Sequence, residues 1–122
     1  MRDDRKDNRV YFWHVRDAIN RIEQFTQDGR EQFFRSEMVQ GAVVWNLGII
    51  GEAVRQVTAS LKASHPGVPW QQVISMRNRL VHEYFNVDLE LVWNVVAIEL
   101  PHLKAQVEVI LEELEGQPDV EP

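Results

Sequence analysis

Cysteine is absent from these 122 residues. Disulfides and thiolate metal sites are thereby excluded, and the chain is compatible with a reducing cytoplasm. Long hydrophobic runs are missing too. The most apolar stretch, 38–50, falls short of the ~18 residues of a membrane span and soon meets Glu52 and Arg55. The opening residues, Met1-Arg2-Asp3-Asp4-Arg5-Lys6-Asp7, hold no apolar segment, so no signal peptide and no membrane partner are expected, and the location is expected to be cytoplasmic. No segment alternates polar and apolar residues between hairpin turns, and there is no internal repeat, low-complexity tract or linker.

Basic charge is scarce overall. Thirteen Lys and Arg face nineteen Asp and Glu, a net charge of −6. Taken alone, that balance argues against nucleic acid, whose phosphates are held by Lys and Arg. The distribution changes the argument. Residues 88–122 hold nine acids and one base, Lys104, whereas residues 1–87 hold twelve bases and ten acids. The acidity belongs to the C-terminal segment, which leaves room for a local basic site upstream.

What the chain does have is helical periodicity in an ordinary soluble composition, 44% hydrophobic and 26% charged. Phe12, Val15, Ile19, Ile22 and Phe25 recur at three and four, predicting a helix over 10–27 capped by Asp7 or Asn8 and stopped by Asp28-Gly29. Gln32-Phe33-Phe34 is an apolar cluster in a connector, and Ser36-Glu37 opens a second helix expected to run to about 64. Gly41, Gly48 and Gly51 each cost a helix interior about 1 kcal/mol against Ala. The gain expected from Gly48 and Gly51, near one face, is close approach of another helix. Glu52, set among Ile49, Ile50 and Ala53, is expected to be half buried and to need a cationic partner.

His65-Pro66-Gly67-Val68-Pro69 breaks the helix, with Pro69 suited to a new first turn and Trp70 to an anchor. Asp88 caps a last helix over 89–115, which Pro101 should kink near 97–100. The expected fold is all-α: an antiparallel bundle of about four to five helices over 9–115, between a flexible polar lead-in (1–8) and an acidic tail (116–122).

The chemistry gathers in Arg77-Asn78-Arg79-Leu80-Val81-His82-Glu83-Tyr84. His suits proton transfer near neutral pH, Arg suits phosphate oxygens, and Tyr can stack on a base. These are parts of a metal-independent ribonuclease, in which an imidazole deprotonates a ribose 2′-OH that attacks the adjacent phosphodiester. No cofactor or metal is needed for that reaction. On a straight helix, however, Arg77 and His82 lie about 140° apart. A common cleft then requires a helix break or a second surface. Read without function, the same residues make an interhelix polar network, with Tyr84 at the core edge and Glu52 as a salt-bridge partner. His14, His65 and His102 make a poor metal set, since none lies four residues from another. Trp13, Trp45, Trp70 and Trp93 are core or interface anchors.

The pattern Arg-Asn-x-x-x-His-x-Tyr over 77–84 resembles the defining motif of HEPN-superfamily ribonucleases, in particular HepT-like toxins. Ile50-Gly51-Glu52-Ala53, Pro66, Pro69-Trp70, Met76, Val87-Asp88, Trp93 and Leu100-Pro101 resemble the rest of that signature in order, across 10–114. The resemblance implies a homodimeric HEPN-like bundle whose paired motifs share a cleft. It implies that Arg77 and His82 are the catalytic pair of an RNA endonuclease, with Asn78 and Glu52 in support. The toxin would belong to a HepT/MntA-type, type VII-like toxin–antitoxin pair. A cognate nucleotidyltransferase antitoxin would neutralise it by transferring AMP to Tyr84. The competing expectation is a non-catalytic nucleotide- or partner-binding module acting with that transferase, and a third is a structural bundle with a remnant motif.

Overall fold

The fold is that of a computed structural model, which describes residues 4–83 and 86–116. Among the described residues seven α-helices follow one another: α1 (Asp4–Phe25), α2 (Gly29–Arg35), α3 (Glu37–Gln56), α4 (Ala59–Ser64), α5 (Trp70–His82), α6 (Leu89–Asn94) and α7 (Leu100–Gly116). A π-helical turn, Val95–Glu99, joins the last two. No strand occurs among the described residues. The all-α expectation holds.

Caps set several of these boundaries as the sequence predicts. Ser36 accepts the Val39 N–H at 3.1 Å at the start of α3, and Asp88 accepts the Leu91 N–H at 3.2 Å before α6. Gly29 takes φ of 91°, the left-handed conformation that ends α1 and opens α2. Trp70 is the anchor expected after Pro69. It is buried, its indole N–H donates to the His65 carbonyl at 3.0 Å, and its ring meets Phe12 edge-on at 6.1 Å.

Four features differ from expectation. First, α1 begins at Asp4, inside the stretch expected to be a flexible lead-in over 1–8. Asn8 is buried at 3% exposure and caps nothing in its own helix. Its Nδ2 donates to Thr58 Oγ1 at 3.0 Å, and its Oδ1 accepts the Thr58 N–H at 3.2 Å. Second, the helix expected over 36–64 is two helices. The backbone turns extended at Val57 and Thr58, and Thr58 caps α4. Asn8 supplies the partner that the turning backbone needs. Third, Gln32-Phe33-Phe34 belongs to a helix, not a connector. Phe33 is fully buried against Phe34 and Trp93, at ring distances of 5.2 and 5.3 Å. Fourth, the interruption expected from Pro101 takes the form of the π turn. Pro101 cannot donate to the Ala97 carbonyl, and just ahead of it Leu100 N–H reaches back five residues to Val95 O. The tail expected over 116–122 lies outside the described residues beyond Gly116.

Removing the Asn8 side chain strands the Thr58 amide. Asn8→Ala should therefore destabilise the fold by about 1–3 kcal/mol, measured as a shift of the urea midpoint at unchanged slope.

The bundle is antiparallel. Asn8 near the start of α1 meets Thr58 just past α3, while Arg21 near its end bonds Asn46 in mid-α3 at 2.7 Å. Likewise Trp13 bonds Glu115 at the end of α7 at 2.7 Å, and Glu23 pairs with Lys104 at its start at 2.9 Å. The core runs between them through Phe12, Val15, Ile19 and Ile22 of α1, Val43, Ile50 and Val54 of α3, and Val107, Ile110 and Leu114 of α7. The opposite side of α3 receives α5 at one end and is left open at the other.

Candidate active site

The site forms where α5 crosses α3, and Gly51 is what lets it do so. A Cβ at Gly51 would overlap the Cβ of Arg77, lie 2.7 Å from its Cγ and sit 3.4 Å from the Val73 carbonyl. The close approach expected of the glycines is made at this one. Gly41 and Gly48 have nothing within 4 Å of such an atom. They line the open groove instead.

Arg77 leaves this contact with its stem against α3 and its guanidinium directed to Glu52. Arg77 Nη2 stands 3.6 Å from Glu52 Oε2, and Nη1 donates to Asn78 Oδ1 at 3.0 Å. Glu52 is half-buried and has the cationic partners predicted for it, but its principal partner is a residue the sequence reading did not single out. Arg55 Nη2 donates to Oε1 at 2.8 Å and Arg55 Nε to Oε2 at 3.3 Å. Gln56 Nε2 adds a third bond to Oε1 at 3.2 Å. The Arg55 bonds, then the Gln56 bond, hold the Glu52 carboxyl below the usual carboxylate range, and the Arg77 charge adds to this. Glu52 is therefore an anion throughout the neutral range. Arg55 could have been found from spacing alone, since it lies three residues beyond Glu52 on one helix.

Arg77 and Glu52 open onto a groove of about 980 Å³ along α3, bordered by Gly41, Trp45, Gly48, Ile49 and Leu89. Trp45 is no core anchor: it is 72% exposed, and Met38 on the same helix is 82% exposed. Trp13 sits half-exposed at the α1–α7 ends, and Trp93 packs on Phe33. Of the residues expected to act together, Glu52, Arg77 and Asn78 are joined by direct contacts. His82 is not part of that network. It stands exposed in the last turn of α5, outside the residues lining the groove, and the helix ends at Glu83 with φ of −108°. α5 is unbroken from Trp70 to His82, so the angular separation of Arg77 and His82 read from the sequence persists. Tyr84 lies outside the described residues. No cluster of three or more His, Asp or Glu suited to a metal ion occurs among the described residues, and no helix there is long and apolar enough to cross a membrane.

The chain matches the family described as Ribonuclease HepT-like over residues 15–110. A protein of Methanocaldococcus jannaschii named "Gamma-glutamylcyclotransferase and putative RNase" is 38% identical over 112 residues, which are 91% of this chain and 50% of that protein. A protein of Thermococcus cleftensis named "Probable ribonuclease HepT" is 35% identical over 105 residues, 85% of this chain and 96% of its own length. No solved structure gave a significant match. With the family matched over most of the bundle, Arg77 and His82 included, the chain belongs to the ribonuclease HepT-like family.

Proposed function

We propose that this ribonuclease is a metal-independent RNA endonuclease in which Arg77 grips the scissile phosphate and His82 removes the proton from the 2′-OH. The observation that carries the reading is the seat of Arg77. Its stem is fixed on Gly51, its guanidinium is oriented by the Asn78 amide oxygen, and its charge faces an open groove. The 2′-oxygen attacks phosphorus as His82 takes its proton. The bond to the 5′-oxygen breaks, leaving a 2′,3′-cyclic phosphate and a 5′-hydroxyl once that oxygen regains a proton. Arg77 neutralises the charge that builds on the phosphoryl oxygens. Purified, folded protein should cut RNA in EDTA. A protein that cuts only after divalent metal is added would overturn the reading.

A second copy of the chain supplies the missing surface in this proposal. Exposed Trp45 and half-buried Ile49 beside the open Gly41 and Gly48 give α3 an apolar, self-complementary face. A two-fold pairing there would bring the α5 ends of two protomers to a shared cleft. Trp45→Glu should convert a dimer to a monomer in sedimentation without loss of helicity, since the side chain makes little contact within one protomer. A mutant that remains dimeric, or a wild type that is monomeric, excludes this interface.

The control point we assign is Tyr84. A cognate nucleotidyltransferase antitoxin, acting in the cytoplasm, would let the Tyr84 phenol oxygen attack the α-phosphorus of ATP, with release of pyrophosphate. The adenylylated phenol then places bulk and negative charge where RNA phosphate must pass. One observation favours a second reading, a non-catalytic module that binds the transferase: Arg77 and His82 are not in contact within a protomer. That reading predicts no cleavage by unmodified protein together with tight transferase binding.

A further inference from the structure

The carboxylate beside Arg77 poses an electrostatic problem. A lone Glu52–Arg77 pair would carry no net charge, and the carboxylate would offset much of the pull of Arg77 on a phosphodiester. Arg55 removes that difficulty. It takes both oxygens of Glu52, at 2.8 and 3.3 Å, and Gln56 takes a third acceptor position at 3.2 Å. Arg77 is left with a contact of 3.6 Å, too long for a hydrogen bond. Its own short bond goes to the neutral amide oxygen of Asn78, at 3.0 Å, which orients the guanidinium without cancelling its charge. Two guanidinium groups and one carboxylate sum to a single positive charge, the complement of one phosphodiester.

We propose that Arg55 is a positioning residue for Arg77: by gripping the Glu52 carboxylate it keeps the Arg77 guanidinium available to an RNA phosphate. This rests on the reading of Arg77 as the phosphate clamp. Without Arg55, Glu52 has a free oxygen within a side-chain rotation of Arg77, and the stronger charge-assisted bond that forms closes the clamp on itself. The effect passes through Glu52, so removing the Glu52 charge should undo the loss of Arg55. A direct contact between Arg55 and RNA would show no such reversal.

The test is a cycle of Arg55→Ala, Glu52→Gln and the double variant. Affinity is measured for a short 2′-O-methyl RNA, which cannot be cut, and cleavage is measured in parallel on ordinary RNA. Arg55→Ala should weaken binding about tenfold, the scale of one charge-assisted contact. The salt dependence should lose roughly 0.7 in slope, as for one lost phosphate contact on a single strand. Glu52→Gln in the Arg55→Ala background should restore affinity to within about threefold of the wild type, together with the salt slope. Arg55 is exposed, so the variants are expected to melt with the wild type. An unchanged affinity in Arg55→Ala overturns the proposal, as does a loss that Glu52→Gln fails to repair. A wild type that does not bind the oligonucleotide overturns it too. A wild type that binds but does not cut refutes the cleavage reaction alone, and the affinity cycle still decides the role of Arg55.

Discussion

His82→Ala should lower the rate of RNA cleavage in EDTA by about 10²–10⁴-fold, the usual contribution of a positioned general base. Arg77→Ala should lower it by about 10²–10³-fold, the scale for losing one group that meets developing charge. The two losses should not add, because a base without a neutralised phosphate, or the reverse, leaves the same step undone. Stability should hardly change in either variant. His82 is exposed at the end of α5, and Arg77→Ala keeps the Cβ that rests on Gly51. The measurement is single-turnover cleavage by folded protein whose intact mass shows no AMP adduct. Equal cutting by the wild type and both variants would reject the assignment and point to a contaminating nuclease.

Gly51→Val should disable the site from the other side. Its Cβ falls on the Arg77 Cβ, and the Val73 carbonyl of the α5 backbone stands just beyond, so rotating one side chain cannot make the room. Overpacking of this kind costs about 1–3 kcal/mol, against a helix-propensity gain over Gly of less than about 1 kcal/mol. Activity should fall further than stability, since the atom displaced is the stem of Arg77. Gly48→Ala is the comparison: with open space around it, the same helix should be stabilised by roughly 0.5–1 kcal/mol. Thermal melts and cleavage rates of the two variants check the pair. Melting shifts of the same sign would show that the α3–α5 contact is not what Gly51 provides.

Much of this architecture is legible in the residues because its causes are local. Ser36 and Asp88 cap the helices that follow them, Gly29 takes the one positive φ among the described residues, and Pro101 disturbs the helix it enters. Glu52 betrays a need for cations by sitting in an apolar run. The Arg77–His82 separation follows from the pitch of a helix. What the residues conceal depends on distant partners. Val57 and Leu61 continue the apolar spacing of α3, and Thr58, a cap by residue type, is the one local mark of the break between them. The break is completed by Asn8, fifty residues away in sequence. Asn8 in turn reads as a surface cap until Thr58 is placed beside it. The role of Gly51 depends on which helix crosses there, and spacing alone does not separate it from Gly48.

The π turn has a consequence for the phase of the last helical stretch. The buried residue there is Val95, not its neighbour Val96, and the next is Leu100, five positions on. Five α-helical steps of about 100° would set those two about 140° apart around the axis. On a straight helix Val92 would share the stripe of Leu103, Val107, Ile110 and Leu114, since the step from Val92 to Ile110 is a whole number of turns, but Val95 would point away from it. The wider turn takes up the surplus rotation, so Val95, out of step with that stripe in the sequence, comes into line with it in space.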